Sequence, residues 1–265
     1  EEHILYDIHG NKASVAGDIK EATLNALRSP VESAPLKDVV QKGDKVAVIV
    51  SDITRLVRTA DFLPVVIDEI NAGGVPDEDI TIVVATGTHR AHTPEEDVLV
   101  CGQEIVNRIK IHQHDCRNNA ELLDLGVTSR GTPILIDKTV AEADKIIITG
   151  AVSLHPMAGF GGGRKSVMPG LAGVETIKHN HLLALTDEVG GGVNQETYLT
   201  KIEGNRVSED MCEVCAFLNP CFLVNSIMDA EGDFVRIVAG HWYDAWYAGT
   251  QEVMKLQGVE AKAKA

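Results

Sequence analysis

Short apolar runs, each followed by a polar cluster and then by a helical segment, constrain the fold of this chain more than any other feature of its sequence. Residues 45–50 (KVAVIV) and 80–85 (ITIVVA) have the length and composition of strands that are buried on both faces. Residues 59–71 between them carry apolar side chains at helical spacing and end before Gly73 and Gly74. This alternation predicts an α/β fold: a doubly wound, mostly parallel sheet with helices on both faces.

The same pattern predicts the remaining elements. Further strands are expected at residues 109–112, 133–136 and 145–149, with a helix over 94–108 and a short helix over 139–144. Beyond a glycine-rich segment we expect a helix near 175–185, a β-hairpin formed by 222–228 and 234–238, and a last helix over 242–256. No internal repeat or low-complexity tract interrupts this order.

The charge of the chain bears on its partners. Its formal net charge is −15, so we expect neither nucleic acid nor an anionic membrane as a partner. The sequence has no apolar run of transmembrane length and no N-terminal signal segment, which favours a cytoplasmic location. An anionic substrate would need a local cationic pocket in such a protein.

Two patterns that resemble metal sites have simpler interpretations. Cys212, Cys215 and Cys221 fall in MCEVCAFLNPC, where no second cysteine pair or paired histidine completes a zinc site. We interpret them as small apolar residues of a helix that runs into a buried strand. His112 and His114 are interpreted as the end of a strand rather than as metal ligands.

Three polar clusters follow three predicted strands. They are SDITR (residues 51–55), TGTHR (86–90) and SLHPMAGFGGGRKSVMPG (153–170). Because the carboxyl ends of parallel strands meet at one edge of a sheet, all three clusters are expected to line one ligand-binding rim.

The glycine loop at residues 159–166 nearly matches the phosphate-binding pattern of nucleotide triphosphatases. The match fails at Arg164, where that pattern requires glycine. Exposed backbone N–H groups together with Arg164, Lys165 and Ser166 are still expected to hold a phosphate. A nucleotide-binding phosphotransferase is therefore one alternative, and a non-catalytic module that binds a metal or a mononucleotide is another.

The rim clusters also supply residues suited to catalysis. His89 and His155 lie in different clusters, and two histidines converging on one site suggest a general acid and a general base. A further histidine on the helix that follows the lysine is a candidate metal ligand. Asp52 provides polar anchoring, and Arg55 provides a fixed cation for a carboxylate or a developing oxyanion.

Taken together, these segments resemble a known family. SDITR, ATGTHR, LHPMAGFGGGRKSVMPG and ETIKHNH, in this order and spacing, are similar to the N-terminal domain of the lactate racemase family. The similarity extends from about residue 17 to about residue 250. It implies a nickel-pincer nucleotide cofactor, in which pyridinium-3,5-bisthiocarboxylic acid mononucleotide holds nickel through two sulfurs and one ring carbon.

The resemblance also implies roles for individual residues. Lys165 would tether the cofactor covalently, and His181, rather than His179, would bind nickel. His89 and His155 would be the acid–base pair, and Arg55 would hold or polarise the substrate. The mononucleotide would contact Asp52, Thr54, Gly161, Gly162, Gly163, Arg164 and Ser166.

The activity implied is that of an isomerase. A racemase or epimerase of this family would invert C2 of a 2-hydroxyacid such as lactate by proton-coupled hydride transfer to the cofactor. Residues 1–258 would form the cofactor-binding and catalytic domain, and 259–265 would begin a linker to a C-terminal domain. Proteins of cofactor biosynthesis would be further partners. SDITR is followed by Leu56, Val57 and Arg58, where relatives often carry prolines, and the extra cation at Arg58 would favour a second carboxylate or a larger acid as the substrate.

Overall fold

The structure, a computed structural model, describes residues 10–11, 17–55 and 57–259. The strands are β1 (Val46–Ser51), β2 (Ile80–Ala85), β3 (Lys110–Gln113), β4 (Leu122–Val127), β5 (Pro133–Asp137), β6 (Lys145–Ala151), β7 (Leu154–His155), β8 (Gly159–Phe160), β9 (Phe222–Met228) and β10 (Phe234–Gly240). The α-helices are α1 (Ile19–Arg28), α2 (Leu36–Val39), α3 (Thr59–Ala72), α4 (Pro94–Cys101), α5 (Gln103–Arg108), α6 (Lys138–Ala141), α7 (Val174–Leu182), α8 (Arg206–Leu218) and α9 (Asp244–Gln257). Short 3₁₀ helices cover Asp77–Asp79, Asn119–Glu121 and Gly163–Ser166.

Six strands form the central sheet in the order β10-β9-β6-β1-β2-β3. All neighbouring pairs are parallel except β9 and β10, which are antiparallel. Strand β1 lies between β2 and β6, so the chain winds outward from β1 in one direction and from β6 in the other. The sheet is therefore doubly wound, as predicted, and its switch point lies between β1 and β6.

Alternate residues of the central strands pack on opposite faces of the sheet. Ala47 and Ile49 of β1 belong to a core cluster that includes buried residues of α6, α7, α8 and α9. Val46, Val48 and Val50 belong to a second cluster with buried residues of α1 to α5. Because both faces of β1 are covered, every residue of its apolar run is buried, which confirms helices on both faces.

Several elements differ from the prediction, and α1, α2, β7 and β8 were not predicted. The helix expected over residues 94–108 is divided into α4 and α5 at Gly102, whose φ of 86° is left-handed. Strand β4 was not predicted, because it is half exposed and lacks a continuous apolar run. It pairs with β5 in a separate two-stranded antiparallel sheet. The predicted hairpin of β9 and β10 is present, and β9 also extends the main sheet by pairing with β6.

The cysteine and histidine patterns agree with their structural interpretations. Cys212 and Cys215 lie in α8 as free thiols, and burial raises the pKa of Cys215 well above its ordinary value. His112 Nε2 and His114 Nδ1 both bond Oδ2 of Asp137, each at 3.0 Å. Burial alone would raise the pKa of Asp137, but the bonds to these two histidines hold it well below its ordinary value. In the part of the chain that the structure describes, no helix combines the length and apolar character needed to span a membrane.

Candidate active site

A cavity of about 530 Å³ opens at the carboxyl ends of β1, β2 and β6. Residues of all three predicted rim clusters line it, which confirms that they converge on one site at the switch point of the sheet. Helix α7 adds one histidine to the wall. Of the candidate site residues, those that line the cavity are Asp52, Thr54, Arg55, His89, His155, Gly161, Gly162, Lys165, Ser166 and His181.

Asp52 orients His89. The Asp52 side chain is 4% exposed, and its Oδ1 accepts hydrogen bonds from the backbone N–H and the hydroxyl of Thr54 at 2.8 and 2.5 Å. Its Oδ2 lies 2.5 Å from Nδ1 of His89. Burial alone would raise the pKa of Asp52, but the hydrogen bonds from Thr54 and His89 outweigh it and lower the pKa. Asp52 is therefore an ionised carboxylate that fixes the His89 ring with Nε2 left for a ligand.

His92 holds the loop that carries Asp52. Its Nε2 accepts the backbone N–H of Ile53 at 2.9 Å, and its Nδ1 bonds Oδ1 of Asp97 at 3.0 Å. Gln113 completes the network by donating to Asp97 and accepting the backbone N–H of His92. The His92 side chain is only 1% exposed. His92 was not among the residues predicted for the site; its place next to the second rim cluster was the available signal.

His155 lies in a tight hairpin beyond β6, where β7 pairs with β8. Its Nδ1 accepts the backbone N–H groups of Met157 and Ala158 at 3.3 and 3.0 Å. Burial, reinforced by the positive charges of Lys165 and Arg55, lowers the pKa of His155 to about 4. The imidazole is therefore neutral around pH 7.

Several donors of the glycine loop are already engaged within the protein. The N–H of Gly161 donates to Ser153, that of Gly163 donates to Oδ1 of Asn225, and that of Lys165 donates to Gly162. The Ser166 hydroxyl donates to the carbonyl of Thr149 at 3.0 Å. The N–H groups of Gly161 and Gly163 and the Ser166 hydroxyl thus fasten the loop to neighbouring segments, and these donors are not available to a phosphate.

Arg164 and Gly163 lie outside the cavity lining, contrary to the expectation that they contact a mononucleotide. The Arg164 guanidinium is wholly buried 3.9 Å from the ring of Trp246 and donates to Ala158 and Ser208. A Cβ on Gly163 would come within 2.7 Å of the same tryptophan ring. Arg164 and Lys165 are neighbours in the 3₁₀ turn, and their side chains point in different directions. Arg164 fills the core, and Lys165 lines the cavity.

Lys165 and His181 share the inner wall of the cavity. Burial and the positive charges of Arg164 and Arg55 lower the pKa of Lys165 to about 7, so much of its amine is neutral at physiological pH. Burial, with the charge of Lys165, also lowers the pKa of His181. The His181 Nδ1 atom is buried and has no hydrogen-bond partner among the described residues. His179, two residues away on α7, is exposed and lies outside the lining.

Arg55 and Arg58 differ in position. Arg55 lines the cavity at its exposed side, and within the described ranges no carboxylate forms an ion pair with it. Arg58 bonds Asp61 at 2.8 Å and lies over the ring of Phe234, away from the lining. The expectation that Arg58 binds a second substrate carboxylate is not supported by this arrangement. The site thus combines three imidazoles, one cationic guanidinium and one partly neutral amine, which suits a small anionic substrate and proton transfer.

Comparisons with known proteins identify the family to which this chain is similar. Residues 1–191 match the family described as the lactate racemase N-terminal domain. The lactate racemase of Thermoanaerobacterium thermosaccharolyticum is 30% identical over 261 residues, covering 96% of this chain and 60% of that protein. The lactate racemase of Lactiplantibacillus plantarum is 31% identical over 243 residues, covering 91% of this chain and 55% of that protein. The chain thus spans somewhat more than half the length of these relatives.

Solved structures share the fold. The apoprotein structure of the lactate racemase from Thermoanaerobacterium thermosaccharolyticum superposes with a TM-score of 0.81 at 30% identity, covering 89% of this chain and 55% of that one. A crystal structure of a protein from Thermotoga maritima has a TM-score of 0.73 at 19% identity, covering 92% of this chain and 61% of that one. The second likeness shows the fold alone.

The buried His92 network is expected to stabilise the protein measurably. His92→Leu removes the acceptor of the Ile53 N–H and a partner of Asp97, and we expect it to lower the free energy of unfolding by about 1–3 kcal/mol. His92→Gln can replace both bonds and should cost less. Urea unfolding curves measure both, with His179→Leu as the exposed control, expected within about 0.5 kcal/mol of the parent chain. Equal stabilities for His92→Leu and His179→Leu would contradict the assignment.

Proposed function

The chain belongs to the lactate racemase N-terminal domain family, and on that premise we propose that it is the cofactor-binding and catalytic domain of a racemase or epimerase that inverts C2 of a 2-hydroxyacid such as lactate. The observation that carries the proposal is the convergence of His89, His155, Arg55 and Lys165 on one cavity at the switch point of the sheet. Two proton-handling groups beside two basic side chains match the needs of a substrate that carries a hydroxyl and a carboxylate.

Inversion at C2 requires the C–H hydrogen to leave and to return on the other face. Removing it as a proton next to an ionised carboxylate is unfavourable, because negative charge would accumulate on adjacent atoms. Removing it as hydride is easier when a base takes the hydroxyl proton, since the product is then a neutral carbonyl beside the carboxylate. When bound, a nickel-pincer pyridinium nucleotide would supply the acceptor for this hydride, a role that cofactors of the nicotinamide type perform.

Individual residues of this chain have defined roles in the proposed reaction. Arg55 binds the substrate carboxylate and holds the acid in one orientation. His89 and His155 handle the hydroxyl proton of opposite enantiomers, because each projects from a different strand end. Asp52 does not touch the substrate but fixes the tautomer of His89 and stabilises its protonated form, as the carboxylate of a catalytic triad does.

The site fits the cofactor that the family implies. The partly neutral amine of Lys165 is suited to forming an amide-type bond at neutral pH. The buried Nδ1 of His181 lacks a partner in the described structure, which marks the ring as available to a ligand. Among the residues with a described position, no group of three or more His, Cys, Asp or Glu side chains could hold a metal ion. A nickel ion at His181 would therefore take its other donors from the cofactor, as a three-donor pincer provides.

The relatives are longer than their match to this chain, and the additional part has a role in the proposed function. We infer that a C-terminal domain closes the cavity, since hydride chemistry needs a site that excludes water and retains the keto acid. Proteins of cofactor biosynthesis are the further partners, and Thr54, Gly161 and Gly162 of the lining are the candidate contacts of the mononucleotide.

Racemisation of lactate tests the function. In protein extended through its C-terminal domain and produced with the cofactor-making proteins, His89→Gln and His155→Gln should each lower the rate by about 100-fold or more. C2-deuterated lactate should react more slowly than lactate in the parent protein, because the C–H bond breaks. Chiral chromatography of the product measures both effects, and His179→Gln is the control. Undiminished racemisation by either variant would refute the two-histidine scheme.

Lys165 is expected to be the covalent anchor. The protein produced with the cofactor-making proteins should carry a mass adduct, and Lys165→Ala should abolish it because no other lysine of the described residues lines the cavity. The control is Lys20→Ala on α1, outside the lining, which should keep the adduct. Mass spectrometry of the intact protein and its peptides provides the measurement. An adduct on another residue would show that the anchor is elsewhere.

His181, and not His179, is expected to bind nickel. The two residues share α7, but only His181 lines the cavity. His181→Ala should lose nickel from the loaded protein while keeping the Lys165 adduct, and His179→Ala should keep both. Elemental analysis of the purified protein gives the nickel content. Nickel loss in His179→Ala alone would reverse the assignment.

A further inference from the structure

The protonation pattern of His89 and His155 can be derived from their hydrogen-bond partners. A neutral imidazole carries its proton on one ring nitrogen and a lone pair on the other. The nitrogen that faces a hydrogen-bond acceptor must carry the proton, and the nitrogen that faces a donor must carry the lone pair. His89 and His155 meet partners of opposite kinds at the same ring atom.

At His89 the partner is an acceptor. Oδ2 of Asp52 lies 2.5 Å from Nδ1, and this carboxylate can only accept. Its other oxygen is already engaged by the N–H and the hydroxyl of Thr54, so the carboxylate cannot rotate without losing both bonds. The proton of neutral His89 therefore lies on Nδ1, and the lone pair lies on Nε2.

At His155 the partners are donors. The backbone N–H groups of Met157 and Ala158 both point to Nδ1, at 3.3 and 3.0 Å. A backbone N–H can only donate, so Nδ1 must carry the lone pair. The proton of neutral His155 therefore lies on Nε2. The charged or titratable groups that act on this ring are Lys165, Arg55, Arg164 and His181, and the cations among them disfavour a second proton on it.

We propose that the cavity holds His89 and His155 in opposite neutral tautomers, so that it presents one proton acceptor, Nε2 of His89, and one hydrogen-bond donor, the Nε2–H of His155. The catalytic consequence, though not the tautomers themselves, rests on the proposed racemase function. A 2-hydroxyacid binds the resting site with its O–H directed to His89. When the O–H bond breaks, a new N–H bond forms at Nε2 of His89, and the resulting imidazolium is paired with Asp52. His155 donates to an oxygen of the same substrate.

The resting site is thus prepared for one enantiomer. For the mirror-image acid, whose hydroxyl faces His155, this ring must first change its tautomer, with Nε2 losing its proton to water and Nδ1 taking a proton from water. That change requires the bonds from Met157 and Ala158 to break, so the turn after His155 must open. The two directions of the reaction then start from different tautomers of His155, with the same number of protons in the pocket.

Long-range proton–nitrogen NMR of the ¹⁵N-labelled 265-residue chain, slightly above neutral pH, tests the proposal without cofactor or turnover. The pattern of couplings to the two ring nitrogens distinguishes the tautomers, and His89→Gln and His155→Gln assign the signals by their loss. We expect the Nδ1–H form at His89 and the Nε2–H form at His155. Free histidine in water favours the Nε2–H form. The Nδ1–H form expected at His89 is therefore the more stringent part of the test.

Asp52→Asn provides the matched perturbation. In that variant the side-chain amide oxygen would stay with Thr54, so the amide NH₂ group would face His89 and convert Nδ1 into an acceptor. His89 should then change to the Nε2–H form while His155 keeps its own. Asp61→Asn, which alters a carboxylate outside the cavity, should change neither ring.

The same tautomer at both histidines of the parent chain, or Nδ1–H at His155, would overturn the proposal. Opposite tautomers in a loaded, extended protein that racemises neither lactate nor another 2-hydroxyacid would overturn the proposed function alone.

Discussion

The parallel pairing of β1 with both β2 and β6 is the constraint on which the site depends. It forces three strand ends to one edge, and the connections that follow β1 and β6 diverge to opposite faces of the sheet, which leaves a crevice between them. The hydrogen bonds of the ladder fix the register, so the residues after Ser51, Ala85 and Ala151 leave the sheet side by side. The apolar strands therefore position polar residues that are far apart in the sequence.

The loops around the cavity are held in place by side chains that do not line it. Asn225 of β9 accepts the N–H of Gly163, and a Cβ at Gly162 would approach that same amide oxygen to 2.7 Å. Gly162 also has a left-handed φ of 69°, which glycine adopts without strain. The glycines of this loop thus serve close packing against the sheet. On the other side of the cavity, His92 and Asp97 fix the loop of Asp52 through Ile53.

The cavity is locally cationic although the whole chain is acidic. The protein carries a formal net charge of −15, yet the cavity gathers Arg55 and Lys165, with the guanidinium of Arg164 buried behind them. Among the described residues no carboxylate pairs with Arg164, and the ring of Trp246 compensates part of its charge. Burial and this local excess of positive charge lower the pKa values of Lys165 and His155. The outcome is a partly neutral amine at Lys165 and a neutral imidazole at His155, in the same cavity as the Arg55 guanidinium, which can hold an anion.

The sequence by itself determined the α/β class, most strands and helices, and the convergence of the three clusters, because apolar runs buried on both faces and helical spacing are local signals. It did not reveal β4, whose pattern is half exposed, or the break at Gly102. Only the tertiary structure decided which of two adjacent basic residues enters the cavity: Arg164 lies against Trp246, which belongs to the distant helix α9. It also decided the partners of His89 and His155, since a ring nitrogen acquires its role from the atom it faces. Such contacts depend on how distant segments pack, and no local pattern in the sequence encodes them.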